Sequence, residues 1–185
     1  GSGTPTVDYS TIASGGTQKD FGTFRGGEQN MSAASPTRGL LGRGNDSGLQ
    51  AGVDLITIAT LGNAQDFGDL ATASWGGCGS GNATRMIIFG GQAVSSPASY
   101  DGTISSITIA SGGNAVRFGE PIDTTSQGRG GCSSPTRSLS GGGDSPTTDV
   151  IEYVEIATEG NSVDFGDLTV ARHYPSGCSN AHGGL

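Results

Sequence analysis

Apolar and polar residues alternate in four short runs: Val7-Asp8-Tyr9-Ser10-Thr11-Ile12, Val53-Asp54-Leu55-Ile56-Thr57-Ile58, Ile104-Ser105-Ser106-Ile107-Thr108-Ile109 and Ile151-Glu152-Tyr153-Val154-Glu155-Ile156. A period of two puts alternate side chains on one buried face, so each run predicts a β-strand. A glycine-containing turn follows each run, and then an aromatic-glycine pair: Phe21-Gly22, Phe67-Gly68, Phe118-Gly119 and Phe165-Gly166. The Phe stands nine residues after the last Ile of its run in every copy, whereas successive Phe residues are 46 to 51 apart. A strand-turn-strand hairpin is therefore the fixed unit, and length changes fall between hairpins. Asp20, Asp66 and Asp164 precede the Phe, with Arg117 in the third copy.

Beyond the first three hairpins a Cys- or Ser-containing segment leads into Thr-Arg and then glycines, at Pro36-Thr37-Arg38, Ala83-Thr84-Arg85 and Pro135-Thr136-Arg137. The last such segment runs through Cys178-Ser179-Asn180-Ala181-His182-Gly183-Gly184-Leu185. The chain thus divides into four repeats, about 4–50, 51–100, 101–147 and 148–185, within one domain spanning 1–185. Repeats of this length made only of short strands predict an all-β propeller in which each repeat supplies one blade. Both ends stop at the same phase of the repeat. The expectation is a ring closed by shared terminal strands, with 178–185 beside 4–12, which hides the sheet edges; an arc of a larger propeller completed by further N-terminal residues or by another chain is the alternative. In that arrangement Phe21, Phe67, Phe118 and Phe165 pack between blades, the following glycines permit a bulge or close approach, and Asp20, Asp66 and Asp164 accept turn hydrogen bonds.

Composition agrees with turn-rich β structure: 35 of 185 residues are glycine and only 14% are charged. The net charge of −8, with scattered basic residues, argues against nucleic acid as a partner. No apolar run reaches the roughly 18 residues that span a bilayer, so membrane insertion is not expected. The opening Gly1-Ser2-Gly3-Thr4 lacks the basic and apolar regions of a signal peptide. Cys78, Cys132 and Cys178 are odd in number and fall at equivalent places, which predicts free, buried thiols and no disulfide framework.

Candidate chemistry is sparse. His173 and His182 are the only histidines and their spacing is not that of a zinc motif. Asp46, Asp144 and Asp149 sit near glycine-rich turns without a calcium-loop pattern. The Asp-Phe-Gly triplets lack the companion motifs of a protein kinase, and no Gly-x-Ser-x-Gly elbow is present. No catalytic residue, cofactor or metal site is expected. The segments 25–34, 75–82, 92–103, 128–131 and 174–177 differ between copies while the strands stay alike, as binding loops on a scaffold do. Trp75, Tyr100 and Tyr174 lie on or beside these segments and are the candidate ligand contacts.

The order Thr-Arg, apolar strand, Gly-Gly, alternating strand, aromatic resembles the kelch repeat, with Phe in place of its Trp. The strings at 156–172, Ile-Ala-Thr-Glu-Gly-Asn-Ser-Val-Asp-Phe-Gly-Asp-Leu-Thr-Val-Ala-Arg, and at 178–185 resemble the repeats and ending of kelch-like virion structural proteins of tailed bacteriophages. That resemblance implies a non-enzymatic particle component: a tail fibre, a receptor-binding part for host attachment, or a capsid decoration. Its implied location is the virion, within a larger assembly or homo-oligomer, and its implied partners are other virion proteins and a host surface glycan. The third copy departs from the pattern at Arg117 and Glu120-Pro121, and the first lacks both the Cys and the Asp-Leu continuation. A self-assembling extracellular filament or surface protein is the alternative reading, and a propeller enzyme is the third.

Overall fold

The structure, a computed structural model, describes residues 6–11, 13–46, 48–95, 97–124 and 127–179. All regular structure in them is β-strand, in antiparallel pairs. Strands β1 (Thr6–Tyr9) and β2 (Lys19–Thr23) form a separate hairpin. Sheet I follows in the order β3 (Ser32–Ala34), β4 (Arg38–Gly42), β5 (Gly52–Thr57), β6 (Gln65–Asp69). Sheet II joins β7 (Cys78–Gly81), β8 (Arg85–Phe89), β11 (Ile104–Thr108) and β12 (Val116–Gly119) in that spatial order. Between β8 and β11, the stretch expected to be a loop folds as a further hairpin of β9 (Gln92–Ser95) and β10 (Ala98–Tyr100). Sheet III orders β13 (Gly130–Ser133), β14 (Arg137–Gly143), β15 (Thr148–Glu155), β16 (Val163–Asp167). Each sheet straddles a sequence-repeat boundary, since the inner two strands of sheet I precede residue 51 and the outer two follow it.

The same irregularity recurs in every Phe-Gly hairpin. Val53 pairs with Gly68 and Asp54 with Asp66, so Phe67 is the extra residue of a β-bulge. Phe21, Phe118 and Phe165 occupy the same position in their hairpins. A bulge frees one side chain from the strict alternation of the strand and re-aims it. The backbone beside it then seats the next unit: Gly62 and Ala64 N–H donate to Phe21 and Thr23 carbonyls at 2.8 and 2.7 Å. Gly113 and Ala115 do the same to Phe67 and Asp69, and Gly160 and Ser162 to Phe118 and Glu120. The glycine after the Phe is required by this approach, because a Cβ at Gly68 would lie 2.5 Å from the Gly113 carbonyl oxygen.

Two apolar clusters fill the spaces between sheets. Leu40 and Val53 of sheet I meet Met86, Ile88 and Ile107 of sheet II. Ile87, Phe89, Ile104 and Phe118, on the opposite face of sheet II, meet Val154 and Ile156 at sheet III. Each such burial contributes about 1.5–3 kcal/mol. The short inner strands lie together, with β7 flanked by β3 and β13. Together with residues 177–179 they surround a cavity of about 740 Å³ lined by Gly, Ala, Ser, Cys, Asn, Thr and Pro. Antiparallel order places the links into β3, β7 and β13, and the connections leaving β4, β8 and β14, at one end of the sheets. The short β3–β4 and β5–β6 turns and their counterparts lie at the other. Parts of the expected terminal closure, 4–5, 12 and 180–185, lie outside the described residues.

Candidate functional site

Most charged side chains near the sheets are consumed by structural pairing. Asp54 and Glu152 hold the same place in β5 and β15, four residues before the last Ile of the run, and are 0% and 1% exposed. The carboxylate of Asp54 accepts from Arg25 N and Nη2, both at 2.8 Å, and from Arg43 Nη2 at 3.0 Å. Both arginines also reach Asp66 across the strand pair, so two directly opposed acids are neutralised by two cations. Glu152 accepts from Arg129 Nη1 at 2.5 Å, Ile122 N at 2.7 Å and Ser162 Oγ at 2.5 Å. In each case a backbone N–H four residues past the preceding Phe is tied to the acid, which anchors the link leaving one unit to the next unit's sheet.

The Thr-Arg arginines cross between sheets. Arg38 Nη1 donates to the carbonyls of Ile109 and Ala110, both at 2.9 Å, and Arg85 Nη1 to that of Ile156 at 2.8 Å. Arg137 instead pairs with Glu155 at 2.6 Å and stacks over Tyr153. Of the repeated acids, Asp164 accepts from Gly166 N at 3.0 Å as a turn residue does, whereas Asp66 is an ion-pair member. Asp20 lies exposed in β2 opposite Asp8. The four repeated Phe residues are unequal: Phe21 and Phe118 are 8% and 4% exposed, Phe67 is half-buried, and Phe165 is 54% exposed.

The link end of the sheets gathers the candidate ligand residues. Trp75 exchanges both backbone hydrogen bonds with Gln92, as Gln127 does with Asp144. The next residue in these links takes left-handed backbone: Gln29, Gly76, Gly128 and Tyr174 have φ of 57°, 70°, 63° and 52°. Gly128 N donates to Gly76 O, and Tyr174 N to Gly128 O. Gln29 Nε2 then donates to Tyr174 Oη at 3.2 Å, joining the first and last repeats across 145 residues. A second cavity, of about 230 Å³, lies among Gln29, Gly76, Gly128, Arg129 and Tyr174. Gln29 Oε1 is buried here without a hydrogen-bond partner. Tyr100 lies at the same end, in β10 opposite Gln92.

The thiols are free, and they are not uniformly buried: Cys78 is buried, Cys132 half-buried and Cys178 exposed. Burial pushes the Cys78 thiol up to about 11, and burial together with nearby Cys178 raises Cys132. The thiolate is the nucleophile. Iodoacetamide at pH 8 is therefore expected to modify Cys178 first, Cys132 more slowly, and Cys78 only in denaturant, as read by peptide mass. Early modification of Cys78 in the folded protein would contradict its placement in the core. Among the described residues no group of three or more His, Cys, Asp or Glu is arranged to hold a metal ion.

The buried acids and their arginines were not singled out from the sequence. The available signal was an acid interrupting an apolar-alternating strand at one fixed place, Asp8, Asp54 and Glu152. Their partners Arg25, Arg43 and Arg129 come from segments that vary in length and so carry no repeat pattern. No protein-family model matches the chain, and no curated protein does.

Proposed function

We propose that the chain is a non-enzymatic structural and adhesive component of a phage particle, built as a kelch-like β-propeller of four repeats that close through the terminal strands. Its link end is the working face: it holds a surface glycan or a neighbouring particle protein, and the opposite end carries only short turns. The observation that carries this reading is the convergence at one end of Trp75, Tyr100, Tyr174, the variable links and a cavity lined by Gln29, Gly128 and Tyr174. The Gln29–Tyr174 bond supports the ring, because it brings the first and last repeats together at the axis. The uncharged inner cavity and the paired state of the buried charges favour recognition by shape over turnover.

Trp75→Ala and Tyr174→Gly test the face. The second places glycine where Gly76 and Gly128 already stand, so the left-handed backbone is kept. Each is expected to weaken binding to host-cell glycans or to purified particles at least tenfold, Trp75→Ala with little change in melting temperature and Tyr174→Gly with a fall that reflects loss of the Gln29 bond. Unchanged attachment in both variants would move the binding surface elsewhere, and saturable turnover of any substrate would end the non-enzymatic reading. Cross-linking mass spectrometry should find 178–185 against 4–12 of the same chain if the ring closes.

A further inference from the structure

One junction of the fold is vacant. At three places the turn of one hairpin seats on the bulge of the hairpin before it, and a Cβ at Gly22, Gly68 or Gly119 would come within 2.3, 2.5 or 1.9 Å of the seated carbonyl. At Gly166, the fourth copy, nothing among the described residues lies within 4 Å. The face around it is an apolar groove of about 160 Å³ lined by Leu139, Ile151, Phe165 and Leu168. Their counterparts in sheet I, Leu40, Val53 and Leu70, are 0%, 0% and 6% exposed, in the cluster shared with sheet II. Arg137 matches this vacancy, since it turns back to Glu155 where Arg38 and Arg85 reach across to the next unit's carbonyls.

A matching turn exists in the same chain. Gly15 and Gly16 have φ of 62° and 116°, and Gly112 and Gly113, the turn that seats on Phe67, have 69° and 116°. Only glycine adopts this pair of angles readily. The β1–β2 turn is therefore already shaped as a seating turn, yet no backbone hydrogen bond joins Gly16 or Gln18 to Phe165 or Asp167. Thr17 stands where Asn63, Asn114 and Asn161 accept a hydrogen bond from the preceding hairpin. This junction is thus built to be the weakest of the four.

We propose that the groove on sheet III is the seat of the chain's own β1–β2 hairpin. Gly16 and Gln18 N–H donate to the carbonyls of Phe165 and Asp167, Phe165 becomes covered, and Arg137 exchanges Glu155 for the carbonyl of Ala13. The chain's own hairpin is favoured over that of a second copy because Tyr174 and Gln29 hold the last and first repeats together at the axis. Tethering of this kind gives an effective concentration of order mM. The inference rests on the ring reading and names the contact that completes it.

Amide hydrogen exchange by NMR tests it on the full chain, at a concentration where light scattering gives a monomer. Gly16 and Gln18 are expected to exchange at least a hundredfold more slowly than free amides, the same protection expected of the hydrogen-bonded Gly62 and Ala64. Phe165→Ala should release Gly16 and Gln18 at least tenfold while leaving Gly62 and Ala64 protected, and Thr17→Asn should slow them further. Free exchange at Gly16 and Gln18 beside protected Gly62 would overturn the proposal. So would protection that appears only as the mass rises with concentration, because the occupant would then be a second copy. A monomer with 178–185 cross-linked to 4–12 but Gly16 freely exchanging would leave the ring standing and remove this contact alone.

Discussion

Glu152→Ala is expected to be among the most destabilising single changes in the protein, at about 3–5 kcal/mol. Three donors converge on this carboxylate, from Arg129, Ile122 and Ser162. Truncation would leave the Arg129 guanidinium, 3% exposed, with its main counter-ion removed in a site that water reaches poorly. That under-compensated charge, left with the Asp123 carboxylate at 4.0 Å, sets the size of the effect more than the lost attraction itself. A total stability of about 5–15 kcal/mol makes such a loss a large fraction. For a chain of this length it corresponds to a fall of roughly 6–20 °C in melting temperature. Arg129→Met combined with Glu152→Leu removes both charges and should recover most of the loss, measured in urea with an unchanged slope. The Arg117–Glu120 pair, 62% and 52% exposed, supplies the contrast. Arg117→Ala should change stability by less than about 1 kcal/mol. If Glu152→Ala and Arg117→Ala cost the same, the buried pair does not anchor the link to sheet III.

How far the fold was legible follows from what each signal encodes. Alternation located β1, β5, β11 and β15, and the nine-residue spacing to Phe located their partners, because a hairpin's register is a local property. The bulge was legible only as the recurring glycine after Phe; that Phe itself is the extra residue depends on pairing that no single strand specifies. The β9–β10 hairpin was hidden because it occurs in one copy and has no repeat to betray it. Trp75 and Tyr174 were found as aromatics on variable links, but the left-handed backbone that Tyr174 shares with Gln29, Gly76 and Gly128 carries no residue-type signature. The inequality of the repeated Phe residues was not readable either. Burial belongs to the neighbour across the junction, and identical triplets receive different neighbours.

Phe118→Ala makes that last point measurable. Phe118 is 4% exposed and packs in one cluster with Ile87, Phe89, Ile104, Val154 and Ile156, so its ring belongs to sheets II and III at once. Removing it leaves a cavity whose lining comes from two sheets that are also joined by the Gly160 and Ser162 hydrogen bonds, the Asn161 side chain, Arg85 and the Ser80–Ser138 and Gly81–Ser133 contacts. Such a site collapses only if the sheets move together, which would strain those bonds, so the expected cost is at the usual level for a buried aromatic, about 3–5 kcal/mol. Val116, two residues earlier on the same strand and 58% exposed, is the control, and Val116→Ala should stay within about 0.5 kcal/mol. The loss at Phe118 should also be directional. Amide exchange at Gly160 and Ser162 should accelerate more than at Gly62 and Ala64, because the II–III junction opens before the one between the β1–β2 hairpin and sheet I. Equal acceleration at both junctions would mean that the clusters unfold as a single unit and that Phe118 is not a local fastener.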